Sequence, residues 1–117
     1  MERRVVITGL GAITPLGNNV EEFWKGIKEG NCGIDQITKF DTTDFKVKLA
    51  AEVKGYNPEE YFDRREAKRL DLFSQYAMVA AREAWKDSKL DKETENMERV
   101  GVIIGSGIGG IETIEIE

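Results

Sequence analysis

Four cations within six positions, Arg64, Arg65, Lys68 and Arg69, are the side chains of this 117-residue chain best placed to recognise another molecule. Arg65, Lys68 and Arg69 are related by three- and four-residue steps, so on a helix they share one face. That face is rotated well away from the apolar positions Leu70, Phe73 and Ala77, which predicts that it is exposed. Its place is electrostatically awkward. Cations at a helix N-terminus oppose the macrodipole and neighbouring like charges repel, each at a cost of roughly a few tenths of a kcal/mol. Asp63, Glu66 and Asp71 offset part of this. On a chain of formal net charge −5, such a cluster fits an acidic partner. It fits a solvated helix end with local ion pairs equally well, and the residues alone do not choose.

Two glycine-rich turns, each closing a β-branched run, are the second feature. They read Val5-Val6-Ile7-Thr8-Gly9-Leu10-Gly11 and Gly101-Val102-Ile103-Ile104-Gly105-Ser106-Gly107-Ile108-Gly109-Gly110. The later one matches G-x-G-x-x-G after a strand-like run, so a nucleotide-binding domain must be weighed. That site needs a helix after the glycines and an acidic residue about 20 positions on. The chain stops seven residues after Gly110, and the earlier turn carries Thr14 where a third glycine belongs. The nucleotide reading is therefore disfavoured. Cys32 lies in the turn Asn31-Cys32-Gly33 with no histidine anywhere in the chain to act as its base, so it reads as an ordinary thiol. The carboxylates show no metal-ligand spacing and read as surface groups.

These groups need elements to position them. Residues 4–8 and 100–105 read as buried strands, continuous Val/Ile runs of the parallel-sheet kind. Asn18-x-x-Glu21 and Asn19-x-x-Glu22 both offer a capping box, followed by Val20, Phe23, Trp24 and Ile27 at helical spacing and by Gly30, which predicts a helix over about 20–29. Val47, Leu49, Ala51 and Val53 alternate with polar residues as in a half-exposed strand. Pro58-Glu59-Glu60 opens a short helix. The longest predicted helix runs from about Arg64 to Ser88, with a stripe of Leu70, Phe73, Ala77, Ala80, Ala81 and Ala84 whose small members suit close packing. Trp24, Phe23, Trp85 and Tyr76 read as core or half-buried residues. The order strand, helix, small β insertion, helix, strand points to a largely parallel α/β sheet. Two strands cannot cover such a sheet, so the fold reads as unfinished.

At this length there is room for one domain or part of a larger one. Hydrophobic and charged contents of 40% and 33% are those of a globular chain. The negative balance disfavours nucleic acid, and no apolar run approaches the roughly 18–20 residues that span a bilayer. Arg3-Arg4 does not start an export signal, because Thr8, Gly9 and Gly11 break the apolar stretch at once. One cysteine forbids an internal disulfide and fits a cytoplasmic chain.

Taken in order, the motifs are more specific than any one of them. Arg4 to Gly11 with Thr14-Pro15-Leu16-Gly17-Asn18, then Phe40-Asp41-Thr42, Val53-Lys54-Gly55-Tyr56-Asn57, Arg64 to Phe73 and Gly105 to Gly110 together resemble the amino-terminal part of type II β-ketoacyl-acyl-carrier-protein synthases. The resemblance covers nearly all of the chain. It implies an incomplete thiolase-like α/β fold, the opening part of the first of two related halves with a small β insertion, and a single domain portion over 1–117. It implies an acyltransferase that elongates fatty acyl chains by decarboxylative Claisen condensation, a homodimer, no cofactor and no metal. The family's nucleophilic cysteine and two histidines lie later in its chains, and Cys32 does not occupy the nucleophile's place. This chain alone is therefore expected to have no catalytic residue and to be inert, as a truncated form or a gene fragment. Arg65, Lys68 and Arg69 match positions that meet the acidic acyl carrier protein. Ile108 matches a bulky aliphatic position that lines the acyl pocket, and the glycines around it would let it shift when an acyl tail enters. A non-catalytic module that binds carrier protein is the competing reading.

Overall fold

The computed structural model describes residues 2–116; residues 1 and 117, the ends of the expected 1–117 domain, lie outside them. The chain forms two compact units, residues 12–57 and residues 1–11 together with 58–117.

In the first unit the turn Thr14-Pro15-Leu16-Gly17 is closed by the Thr14 hydroxyl, which accepts from the Leu16 N–H at 3.1 Å. Helix α1 spans Val20–Lys28. Of the two predicted caps the structure uses Asn19, whose Oδ1 accepts from the Glu22 N–H at 2.8 Å, while the Glu22 carboxylate reaches back to the Asn18 N–H at 2.9 Å. Gly30 leaves the helix with φ +70°, as a left-handed stop requires. The apolar face of α1 is less covered than its spacing predicts. Phe23 is half-buried, but Trp24 and Ile27 are exposed, and the buried residue of α1 is Gly26, which faces Leu16. The alternating run over 46–54 contributes only β2 (Leu49–Ala50), paired antiparallel with β1 (Asp35–Gln36) in the register Asp35 to Ala50 and Gln36 to Leu49. Beyond this ladder the Thr38 hydroxyl donates to Glu52 at 2.8 Å and holds that carboxyl below its ordinary range. Thr43 does the same for Asp41.

The second unit is built around a helix shorter than the predicted 64–88. Helix α2 (Arg64–Arg69) and helix α3 (Leu72–Ser88) are separated at Leu70, which is extended at φ −104° and ψ 126°. No glycine or proline marks this break. A one-turn helix over Pro58–Glu60 precedes α2, another lies at Met97–Arg99, and α4 spans Ile111–Ile116. The core is formed by Phe62, Val79 and Gln75, all buried.

Helix α3 is covered on two opposite faces. At 100° per residue, Phe73, Ala77, Ala80 and Ala84 form one row, and Gln75, Val79 and Arg82 form another about 180° away. The alanine row receives the segment Gly9-Leu10-Gly11 in direct backbone contact. A Cβ on Gly9 would lie 2.9 Å from the Ser88 Cβ, and one on Gly11 would lie 2.8 Å from both the Ala80 carbonyl carbon and the Ala84 nitrogen. The Leu10 N–H donates to the Asp87 carboxylate at 2.9 Å. The small residues of the predicted stripe therefore serve close packing as expected. In the second row Gln75 and Val79 are buried and Arg82 is exposed, and an amide, a valine and a cation gave no sign in the sequence of a packed face.

The two predicted strands are corrected. Among the described residues neither 4–8 nor 100–105 forms a strand, and neither is buried: Val5 is 94% and Ile103 100% exposed. A β-branched run becomes a strand only when a neighbour accepts from its N–H groups and donates to its C=O groups, and among the described residues none does so here.

Candidate carrier-docking helix and acyl-pocket turn

Six residues are far too few for a helix to persist unaided. Because α2 ends at Arg69, Arg64 and Arg65 sit at the end that disfavours cations, while Lys68 and Arg69 fall in the last turn, which favours them. It is held from both ends. At the N-terminus the Asp63 carboxylate accepts from the Arg65 and Glu66 N–H groups, both at 2.8 Å. That cap also sets a negative charge where the helix end favours one. At the C-terminus, where carbonyls lack intrahelical donors, the buried Gln75 of α3 donates to the Ala67 carbonyl at 3.0 Å and to the Leu70 carbonyl at 2.9 Å. Arg82, on the same face of α3, donates to the Tyr61 carbonyl at 2.9 Å and stacks over the Phe62 ring at 4.7 Å. It also lies 3.6 Å from the Glu66 carboxylate.

The consequence for charge is direct. Glu66, which the sequence offered as a partner for the cluster, faces Arg82 instead. Asp63 is used by the backbone, and Asp71 accepts from the Thr113 hydroxyl. Arg65, Lys68 and Arg69 are exposed, as their spacing predicts, and so is Arg64. The nearby carboxylates are turned to other tasks, so the face presents positive charge outward on an acidic chain. Gln75 and Arg82 are the functional supports that sequence reasoning missed. A glutamine and an arginine at helical spacing look the same whether they face water or a neighbouring backbone.

The glycine-rich turn lies elsewhere on the same unit. The Gly109 N–H donates to the Ser106 hydroxyl at 3.1 Å, and Gly109 takes φ +87°, a conformation that favours glycine. A Cβ there would lie 3.4 Å from the Phe73 ring. Phe73, Ala77 and Met78 of α3 and Ile104, Gly105 and Ser106 line a shallow cleft of about 260 Å³ with a mainly apolar wall. Ile108 is not among the lining residues and is 72% exposed. The structure thus places the turn against α3 without turning this side chain inward.

Cys32 is exposed, with its thiol 3.8 Å from the Ile34 carbonyl. Burial pushes the Tyr76 hydroxyl above its ordinary range. Among the described residues no group of His, Cys, Asp and Glu could hold a metal ion, and no helix is long and apolar enough to cross a membrane.

Residues 2–117 match the β-ketoacyl synthase N-terminal domain. The 3-oxoacyl-[acyl-carrier-protein] synthase 2 of Staphylococcus aureus (strain COL) is 54% identical over 114 residues, 97% of this chain and 28% of that protein. The protein of the same name from Vibrio cholerae serotype O1 is 48% identical over 114 residues, with the same two coverages. Among solved structures, the ishigamide ketosynthase/chain length factor superposes with a TM-score of 0.73 at 31% identity, covering 99% of this chain and 29% of that one. The chain spans about 28% of the length of the curated relatives it matches.

Proposed function

The chain belongs to the β-ketoacyl synthase family, as part of its N-terminal domain with a partial thiolase-like fold, and from that premise we propose that it is the opening segment of a 3-oxoacyl-[acyl-carrier-protein] synthase of the second type. The whole enzyme is a cytoplasmic, homodimeric acyltransferase of fatty-acid synthesis. Its acyl group passes from carrier-protein thiol to an enzyme cysteine, and the carrier thiol leaves. Malonyl-carrier protein then loses carbon dioxide, and the electron pair left on carbon attacks the acyl thioester and expels the cysteine thiolate. Histidines and an oxyanion hole assist this step in the family. This chain supplies no histidine, and its one cysteine sits at an exposed turn.

The role of these residues is recognition. Arg65, Lys68 and Arg69 dock the acidic acyl carrier protein, and Ile108 forms one wall of the acyl pocket. The observation that carries the docking role is the α2 face: exposed cations on a helix capped by Asp63, with the neighbouring carboxylates engaged elsewhere. Such a field speeds encounter more than it tightens the complex. For Ile108, the support is its place on a glycine-permitted turn beside the apolar cleft; its exposure fits a wall that further residues complete.

Titrating carrier protein against the chain and its K68E/R69E variant tests the docking role. Binding should be abolished by the double reversal, and an unchanged affinity refutes it. Malonyl-carrier protein should not be decarboxylated by this chain; clear turnover would overturn its assignment as a non-catalytic segment. Carrier binding persisting without any turnover also fits the second reading, a non-catalytic carrier-binding module.

A further inference from the structure

We propose that Gln75 is a positioning residue for carrier-protein docking, acting through α2 without touching the partner. The inference rests on the docking role given to α2 above. Gln75 is 4% exposed, and its carboxamide nitrogen meets the Ala67 and Leu70 carbonyls at 3.0 and 2.9 Å. Both acceptors are carbonyl oxygens, which fixes the orientation of the amide and engages both of its N–H bonds. Lys68 and Arg69 lie between the two anchored residues. The planar amide therefore clamps the stretch of backbone that carries two of the three docking cations.

Among the described residues no other donor meets these two carbonyls. The C-terminal residue of α2 is followed by extended Leu70, so no further helical turn donates to these carbonyls. Asp63 fixes only the first turn. Without the clamp, a six-residue helix bearing four cations would fray from its C-terminus. Lys68 and Arg69 would then meet an acidic surface one at a time, and each contact would first have to order the helix.

The test measures affinity for holo-acyl-carrier protein at several salt concentrations for wild type, Q75M, V79A and K68E/R69E. Methionine matches the shape of glutamine and lacks its donors. Q75M should weaken binding by about 5–10-fold and flatten its salt dependence, since fewer cations engage together. Amide exchange at Lys68, Arg69 and Leu70 should rise in the same variant. V79A removes core volume from the same face of α3 and leaves the clamp, so it should lower stability while keeping the salt dependence. If K68E/R69E abolishes binding but Q75M binds as wild type does, the positioning role is overturned and the docking role stands. If K68E/R69E has no effect, the docking role falls and this inference with it. Should Q75M fail to fold, exchange of the Gln75 side-chain protons in wild type decides: protection supports the clamp, and exchange at the rate of a free amide overturns it.

Discussion

Replacing Gly11 with alanine would drive a methyl group into the backbone of α3. The new Cβ would overlap the Ala80 carbonyl oxygen and lie 2.8 Å from the Ala80 carbonyl carbon and the Ala84 nitrogen. Carbon atoms prefer about 3.5–4.0 Å, so the segment would have to withdraw by roughly 1 Å. The obstacle is helix backbone, which cannot rotate aside as a side chain would. Overpacking of this kind costs about 1–3 kcal/mol. The withdrawal also lengthens the Leu10 N–H to Asp87 contact, now 2.9 Å, whose exposed position limits its worth to the low end of about 0.5–1.5 kcal/mol. A loss of about 2–3 kcal/mol follows, a large share of the roughly 5–15 kcal/mol typical of a domain. It should appear as a fall in Tm on the order of 10 °C, or as an earlier urea midpoint by circular dichroism at low protein concentration. Gly101→Ala is the control. No atom lies within 4 Å of its built Cβ and its φ is not positive, so stability should stay within about 0.5 kcal/mol of wild type. If the two alanine variants melt alike, the close approach of residues 9–11 to α3 is wrong.

Three further outcomes are expected. Asp63→Ala removes two backbone acceptor contacts and the capping negative charge at the start of α2, so it should cost about 0.5–2 kcal/mol and weaken carrier binding; unchanged exchange at the Arg65 and Glu66 amides would count against the cap. The Thr38 hydrogen bonds depress the Glu52 pKa, so their contribution is present above the unfolded carboxylate value and is lost as pH falls through the lower folded one. Thr38→Val should raise the Glu52 pKa toward 4.5 in a carbon-detected titration, and an identical curve in wild type and variant would exclude this cause. The exposed run Val102-Ile103-Ile104 offers unpaired backbone beside apolar side chains, so the chain should self-associate as concentration rises, and Ile103→Lys should reduce this in sedimentation velocity; a wild type that stays monomeric throughout contradicts the expectation.

Local signals carried through to the structure wherever the determining atoms are close in sequence. The α1 start and stop follow from Asn19, Glu22 and Gly30, all within a dozen residues. The exposure of Arg65, Lys68 and Arg69 follows from their spacing on one helical face. The family follows from several motifs in order, since the chance of each is small and their spacing multiplies the constraint. The strand-like runs at 4–8 and 100–105 show the limit of that reasoning, because a strand is a property of a pair and these runs find no partner here.

What the sequence determined by itself was identity, charge and the positions of caps and cations. Tertiary structure alone decided that the predicted 64–88 helix divides at Leu70, that Gln75 is buried to hold α2, and that Glu66 turns to Arg82 and leaves the cations free of it. Each of these rests on donors and acceptors brought together across a turn or between helices. A helix end with unpaired carbonyls must find donors somewhere, but periodicity does not say where they come from. Only the packing of α3 against residues 61–70 supplied them, and with them the rigid setting of the basic face.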